Sequence, residues 1–242
     1  SPFGARGANS GIQDADNLIW TLKLVLDGHA SDTLLDSYSQ ERVQAARENI
    51  LNSTRSTDFI TPKSEMSRAF RDATLALAER FDFARGLVNS GRLSVPSVYR
   101  DTTLSTPDGD AFTGSMYPGS PCMDAPIAID GEASWLLLHL GGRFNGLYFA
   151  ADQGVPEPDR AGLQALAEAA ATPVNTLIVG SYDDAIPGTV TVTDIRQRLQ
   201  QRFDGRPGTF YLLRPDQHIA GRWRSLDLET VRGALARASG RG

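Results

Sequence analysis

Cysteine is almost absent from this 242-residue chain. Cys122 stands alone, which excludes an internal disulfide framework and a zinc site built on cysteines. Lysine is nearly absent too. Only Lys23 and Lys63 occur, so arginine carries the rest of the positive charge, which we read as coding bias and not as a binding signal. Lys and Arg number 24 against 29 Asp and Glu, a formal net charge of -5. No arm or face is strongly basic, so the electrostatic footprint of a DNA or RNA binder is missing. The longest apolar run, near Trp135, covers a few residues, against the ~20 that a membrane-spanning helix needs. The three histidines, His29, His139 and His218, lie far apart and in no metal-binding spacing, so no metal site is expected. No Gly-x-Ser-x-Gly elbow is present, which leaves a hydrolase without support. What remains is of ordinary globular composition, 40% hydrophobic and 22% charged, enough for one large domain or two small ones.

The chain opens on Ser1-Pro2-Phe3-Gly4, without a Met, a basic stretch or an apolar stretch, so no signal peptide is read there. A start inside a Gly-rich loop that leads straight into a helix reads as a truncated or nicked chain. Residues 9–27 have helical spacing, with Ile12, Ala15, Leu18, Ile19, Leu22, Val25 and Leu26 recurring and Ser10 and Gln13 placed as a capping box. Gly28 sits where a left-handed cap belongs. A second helix is expected from about Ser31 to Asp58, with Leu34, Leu35, Tyr38, Val43, Ala46 and Ile50 as its stripe. A third amphipathic segment follows Pro62, carrying Met66, Phe70, Leu75, Leu77, Ala78 and Phe81 to about Val88.

Residues 1–90 therefore read as helical. Residues 91–131, with Pro96, Pro107, Pro118, Pro121 and Pro126 among many small polar residues, read as a connection that drapes over another surface. Residues 132–242 alternate. The segment 133–140 is ambiguous, 144–150 and 174–179 read as strands, and 158–170 and 194–203 as helices. Strands 209–213 and 218–223 are joined by the turn Arg214-Pro215-Asp216-Gln217, and 226–238 closes as a helix. The fold class is thus α+β or α/β, a helical segment followed by a β-α-β-α-β-β-α domain in thioredoxin-like order.

The informative stretch is residues 1–22. Glycines 4, 7 and 11 leave the backbone open to close approach, and the stretch feeds a helix N-terminus, where free N–H groups favour negative charge. By itself this is a tight loop-to-helix turn as readily as an anion site. The stretch as a whole, however, resembles the last conserved segment of the flavin-dependent aromatic hydroxylases, the para-hydroxybenzoate and phenol hydroxylase group. The resemblance rests on Pro2, Gly4, Ala5, Gly7 and Asn9, then Gln13-Asp14-Ala15-Asp16-Asn17-Leu18 and Trp20, and runs to about Pro62. The family's preceding Gly-Asp run and its Gly-x-Gly-x-x-Gly fingerprint are absent from this sequence.

The resemblance implies that residues 1–90 are the helical end of the FAD-binding part. Pro2, Gly4, Gly7, Ala8 and Asn9 then line the pyrimidine side of the flavin, and the helix dipole stabilises charge at its N1–C2=O edge. It further implies FAD as cofactor, NAD(P)H and O2 as co-substrates, and a small aromatic substrate hydroxylated through a flavin hydroperoxide. A cytoplasmic homodimer and a separate N-terminal FAD-binding portion as partner are implied as well, together with apolar stripes left exposed without that portion. No catalytic residue is assigned. Asp14, Asp16 and Asn17 read as capping or dipole partners, Trp20 as packing, Arg6, Arg42 and Arg47 as surface charge, and Cys122 as a plain thiol.

The segment 211–223 resembles the hairpin of the thioredoxin-like domain appended to phenol hydroxylase and its polyketide-tailoring relatives. Where thioredoxins carry Cys-x-x-Cys this chain reads Ala151-Asp152-Gln153-Gly154-Val155-Pro156, so disulfide exchange is chemically impossible for this domain alone. The same absence argues against a peroxiredoxin- or glutathione-type protein. The competing reading is a non-catalytic module for dimerisation or interaction.

Overall fold

The computed structural model describes residues 6–88, 96–180 and 185–242. They fall into two compact units, one of Ser1–Ala15 with Glu41–Ser97 and one of Asp16–Gln40 with Val98–Gly242. Two long helices each contribute to both: α1 (Arg6–Leu26) and α2 (Leu34–Ile60).

The first unit is helical, completed by α3 (Glu65–Ala78) and α4 (Asp82–Val88). α1 starts three residues earlier than its sequence suggests. Ser10 therefore lies inside the helix and does not cap it; its Oγ instead accepts from Asn49 Nδ2 at 3.1 Å. The expected single segment to Val88 is broken at Glu79–Phe81. Ser64 caps α3 by accepting from the Ser67 amide, and Arg85 donates to the carbonyls of Ala78 and Glu79 that the break leaves free. Ala45, Thr74 and Ala84 are buried, whereas Val43, Ile50, Met66, Phe70 and Leu75 are exposed. Of the α2 stripe, Leu34 is buried, while Val43 and Ile50 face outward.

The second unit is built on a seven-stranded mixed sheet of order β2-β1-β5-β4-β3-β6-β7. Its strands are β1 (Pro126–Ile129), β2 (Glu132–Trp135), β3 (Phe144–Phe149), β4 (Val174–Val179), β5 (Thr189–Asp194), β6 (Phe210–Leu213) and β7 (Ile219–Trp223). The strands β3, β4 and β5 run parallel, and the other pairings are antiparallel. Helices α5 (Glu157–Ala167), α6 (Arg198–Phe203) and α7 (Leu228–Ala238) complete the unit.

Three strands are additions to the expected order. β1 and β2 form a hairpin whose two loop residues, Asp130 and Gly131, have φ of 51° and 83°. Asp-Gly is a favoured sequence for a turn with positive φ at both positions. β5 reads Thr-Val-Thr-Val-Thr-Asp, β-branched residues at a period of two. The ambiguous segment 133–140 resolves into β2 followed by a single 3-10 turn, Leu136–His139. The expected helix 194–203 is interrupted by Arg196 and Gln197 at φ of 60° and 55°. The Asp194 carboxylate then accepts from the amides of Leu199 and Gln200 at 2.9 Å each and starts α6.

Alternate residues of each central strand enter opposite cores. Phe144, Tyr148, Val174, Ile178, Phe210, Leu212 and Ala220 pack with Leu163, Val231, Leu235, Trp20 and Leu34. Leu147, Phe149, Leu177, Val179, Tyr211, Leu213 and Ile219 pack with Met116, Cys122, Leu136 and Phe203. Each fully buried Leu, Ile or Phe contributes about 1.5–3 kcal/mol, so the two cores dominate the stability of this unit.

The connection before β1 drapes over β7, as its composition suggests. Thr106 N donates to Ala220 O at 2.7 Å, Gly119 N to Ile219 O at 2.8 Å and Cys122 N to Gln217 O at 2.8 Å. Arg222 holds Asp108 through Nε at 2.9 Å and Nη2 at 2.7 Å. Gly119 is required where it stands. Its φ is +84°, and a Cβ there would lie 2.2 Å from the Tyr99 carbonyl oxygen.

Candidate functional site

The sequence places its candidate site at the start of α1. Pro2 and Gly4, and the side chain of Arg6, lie outside the described residues. Gly7, Ala8 and Asn9 form the first turn of α1 itself and are exposed. The opening N–H groups of a helix lack intrahelical acceptors, and this first turn carries no acidic side chain to take them up. A Cβ built at Gly7 or Gly11 would meet nothing within 4 Å, so the face of the turn is open. The arrangement suits the negatively polarised edge of a flat group.

Behind this turn the helix is fixed by polar contacts. Arg42, expected at the surface, is buried, because its Nε donates to Asp14 Oδ1 at 2.5 Å and its Nη2 to the Ser10 carbonyl at 3.4 Å. Asp14 is thus an ion-pair partner for α2 and not a cap.

Further along α1, in the second unit, lies a buried ionic cluster that the sequence reading did not single out. Arg214 is 0% exposed. Its Nε and Nη2 donate to the two carboxylate oxygens of Asp216 at 3.0 and 2.6 Å. Asn17 Nδ2 donates to Asp216 Oδ2 at 3.2 Å. The guanidinium also lies over the rings of Trp20, at 5.1 Å, and Tyr99, at 5.7 Å. His218 stacks on Tyr99 at 4.6 Å, with its Nδ1 3.1 Å from the Asp216 carbonyl oxygen. Burial alone would raise the Asp216 carboxyl, but Arg214 and His218 hold it well below the usual carboxylate range. Asp16 moves the other way: partial burial, then the charge of Asp216, raises it, with His218 opposing. The signal was in the sequence as Arg-Pro-Asp, where the turn reading accounted for Pro and Asp and left Arg unexplained.

The remaining candidates carry no reactive arrangement. Cys122 is buried, and desolvation pushes its thiol far up, opposite to what a nucleophile needs. His139 Nε2 shares a hydrogen bond with Ser134 Oγ at 2.8 Å on the surface. Among the described residues no group of His, Cys, Asp and Glu is placed to hold a metal ion, and no helix is long and apolar enough to cross a membrane. A cavity of about 340 Å³ at the amino ends of β3 and β4 is lined by Trp20, Lys23, His29, Arg143 and Pro215, with Lys23 paired to Asp27 at 2.5 Å.

Residues 1–53 match the family model described as the FAD binding domain, and residues 140–238 the model described as the HcaD C-terminal domain. The chain is 28% identical to 6-methylpretetramide 4-monooxygenase of Streptomyces rimosus, over 97% of this chain and 42% of that protein. It is 29% identical to 3-(3-hydroxy-phenyl)propionate/3-hydroxycinnamic acid hydroxylase of Paraburkholderia xenovorans (strain LB400), over 96% of this chain and 44% of that protein. In fold it resembles the flavin-dependent monooxygenase PieE, solved with FAD and substrate. The TM-score is 0.75 at 24% identity, covering 100% of this chain and 46% of that one. Aklavinone-11 hydroxylase, solved with FAD and aklavinone, gives a TM-score of 0.70 at 22% identity over 99% and 41%. The curated relatives named here are a monooxygenase and a hydroxylase, and the chain spans about two-fifths of the length of the curated relatives it matches.

Proposed function

We propose that this chain is part of an FAD-dependent monooxygenase that hydroxylates a phenolic, aromatic or polyketide-like substrate with NAD(P)H and O2. The observation that carries the reading is the coincidence of the FAD-binding match with the open first turn of α1. The residues present fit the cofactor: Gly7 and Gly11 leave the approach clear, and no acid in the first turn competes for the free amides. In this reading Gly7, Ala8 and Asn9 serve the pyrimidine side of the ring, and Pro2 and Gly4, outside the described residues, are assigned to the same side by the resemblance alone. FAD, when bound, supplies the oxygen-activating chemistry. The chain's own part is to present backbone donors to the flavin edge and to carry the helix that holds them.

In this reading residues 132–242 are a thioredoxin-like domain without redox cysteines, and residues 91–131 its connection. The working enzyme is a cytoplasmic homodimer using NADH or NADPH. The exposed side chains of Ile12, Ile19 and Leu26 on α1 are then covered by the rest of the enzyme. The chain alone therefore binds FAD weakly and turns nothing over.

A second reading, a non-catalytic dimerisation module, is favoured by Trp135 on the edge strand β2 and Leu138 just after it, 51% and 75% exposed. Titrating the purified chain with FAD, alongside NAD(P)H oxidation and sedimentation, separates the two. Weak but saturable flavin binding supports the first. No flavin binding in a chain that dimerises supports the second.

A further inference from the structure

The buried cluster around Asp216 takes no part in the chemistry proposed above, and its cost calls for a reason. Burying an ion pair brings little net stability, since desolvation offsets the attraction. Its geometry, however, is strict. Arg214 and Asp216 both lie in the short turn between β6 and β7, closed by Gln217 N to Arg214 O at 2.9 Å and Arg214 N to His218 O at 2.8 Å. The carboxylate is therefore fixed on the sheet, gripped at both oxygens by one guanidinium. Asn17 reaches it from α1, and Trp20, one turn on, lies against the same guanidinium and against the edge of Phe144 at 6.2 Å. Apolar contacts alone tolerate sliding. A shift of one residue along α1 moves a side chain by about 1.5 Å along the axis and about 100° around it, which breaks the Asn17 bond outright.

We propose that Asn17, Asp216 and Arg214 set the register of residues 16–26 of α1, along and about the helix axis, against the sheet of the second unit. This register is independent of the flavin reading. A single buried polar side chain choosing one register among apolar alternatives is a known use of such groups.

The test is amide hydrogen exchange on the whole 242-residue chain, without flavin. Asn17→Leu keeps the branched shape and the number of side-chain heavy atoms but removes the donor; Asn17→Ser is the second variant, smaller and still polar. The expected result is exchange about tenfold faster across residues 16–26 of α1 in Asn17→Leu, the loss of one buried hydrogen bond. Exchange in β3, β4 and β6 stays unchanged, and Asn17→Ser lies between. Unchanged α1 exchange in Asn17→Leu overturns the proposal, because packing then holds the helix. Helix and sheet rising together also overturn it, since the cluster is then general support. A failed flavin titration beside a positive exchange result sinks the flavin reading and leaves the register standing.

Discussion

At the scale of single residues, the charges inside the second unit decide how it responds to pH. Asp216 titrates lower in the folded protein than in the unfolded chain. The unfolded state therefore binds more protons in acid, and the stability from this group is complete above the ordinary carboxylate value and lost as pH falls toward the folded one. Denaturant unfolding should show stability dropping below about pH 4, with a shallower drop in Asp216→Asn. That variant leaves Arg214 buried without its counter-charge and should lose about 3–5 kcal/mol at neutral pH. A loss under 1 kcal/mol would mean that the cluster is hydrated. Asp16 has the opposite sign. Its carboxyl is raised in the fold, so its ionised form is disfavoured there. Asp16→Asn should be neutral or slightly stabilising at pH 7, by less than about 0.5 kcal/mol, with no difference in acid below the carboxylate range. Neither sign was legible in the sequence. Asp14, Asp16 and Asn17 sit within four residues on one helix, and only the fold separates an ion-pair partner, an exposed acid and a buried donor.

At the scale of elements, legibility followed the strength of local signals. β3, β4, β6, β7 and α7 emerge within two residues of where their apolar runs place them, and α5 within three, because most of these runs are flanked by Gly, Pro or Asp. β5 carries its signal plainly in the Thr-Val alternation, but its last residue, Asp194, also reads as the start of the helix after it. The hairpin of β1 and β2 lay in a Pro-rich stretch and was marked only by Asp130-Gly131. The helical stripes misled in one respect: periodicity shows that a face is apolar, not what covers it. Trp20 is buried while Ile19 and Leu26 are 64% and 77% exposed. Trp20→Ala should therefore cost about 3–5 kcal/mol, whereas Ile19→Glu should leave chemical denaturation of the isolated chain nearly unchanged and improve its solubility. The connection offers a sharper test. At Gly119 a side chain meets the Tyr99 carbonyl in a backbone conformation that only glycine adopts freely, so Gly119→Ala should destabilise by at least about 1–3 kcal/mol, read as a lowered thermal midpoint.

At the scale of the whole molecule, two family matches lie on either side of the connection, and α1 carries contacts of both kinds. Its first turn is open and free of acids, and its later turns are bound to the sheet through Asn17 and Trp20. The helix motif and the hairpin motif thus meet at Asn17 and Asp216 within the second unit. That contact was not legible in either motif, since the two residues stand 199 positions apart. The most direct measurement is the affinity of the purified chain for FAD, by equilibrium dialysis, compared with Gly7→Asp. The account predicts weak, saturable binding that the introduced carboxylate weakens further, by about 0.3–2 kcal/mol, because it opposes the positive end of the helix and takes up its free amides. Stoichiometric, tightly held flavin, or weak binding that Gly7→Asp leaves unaltered, would contradict it.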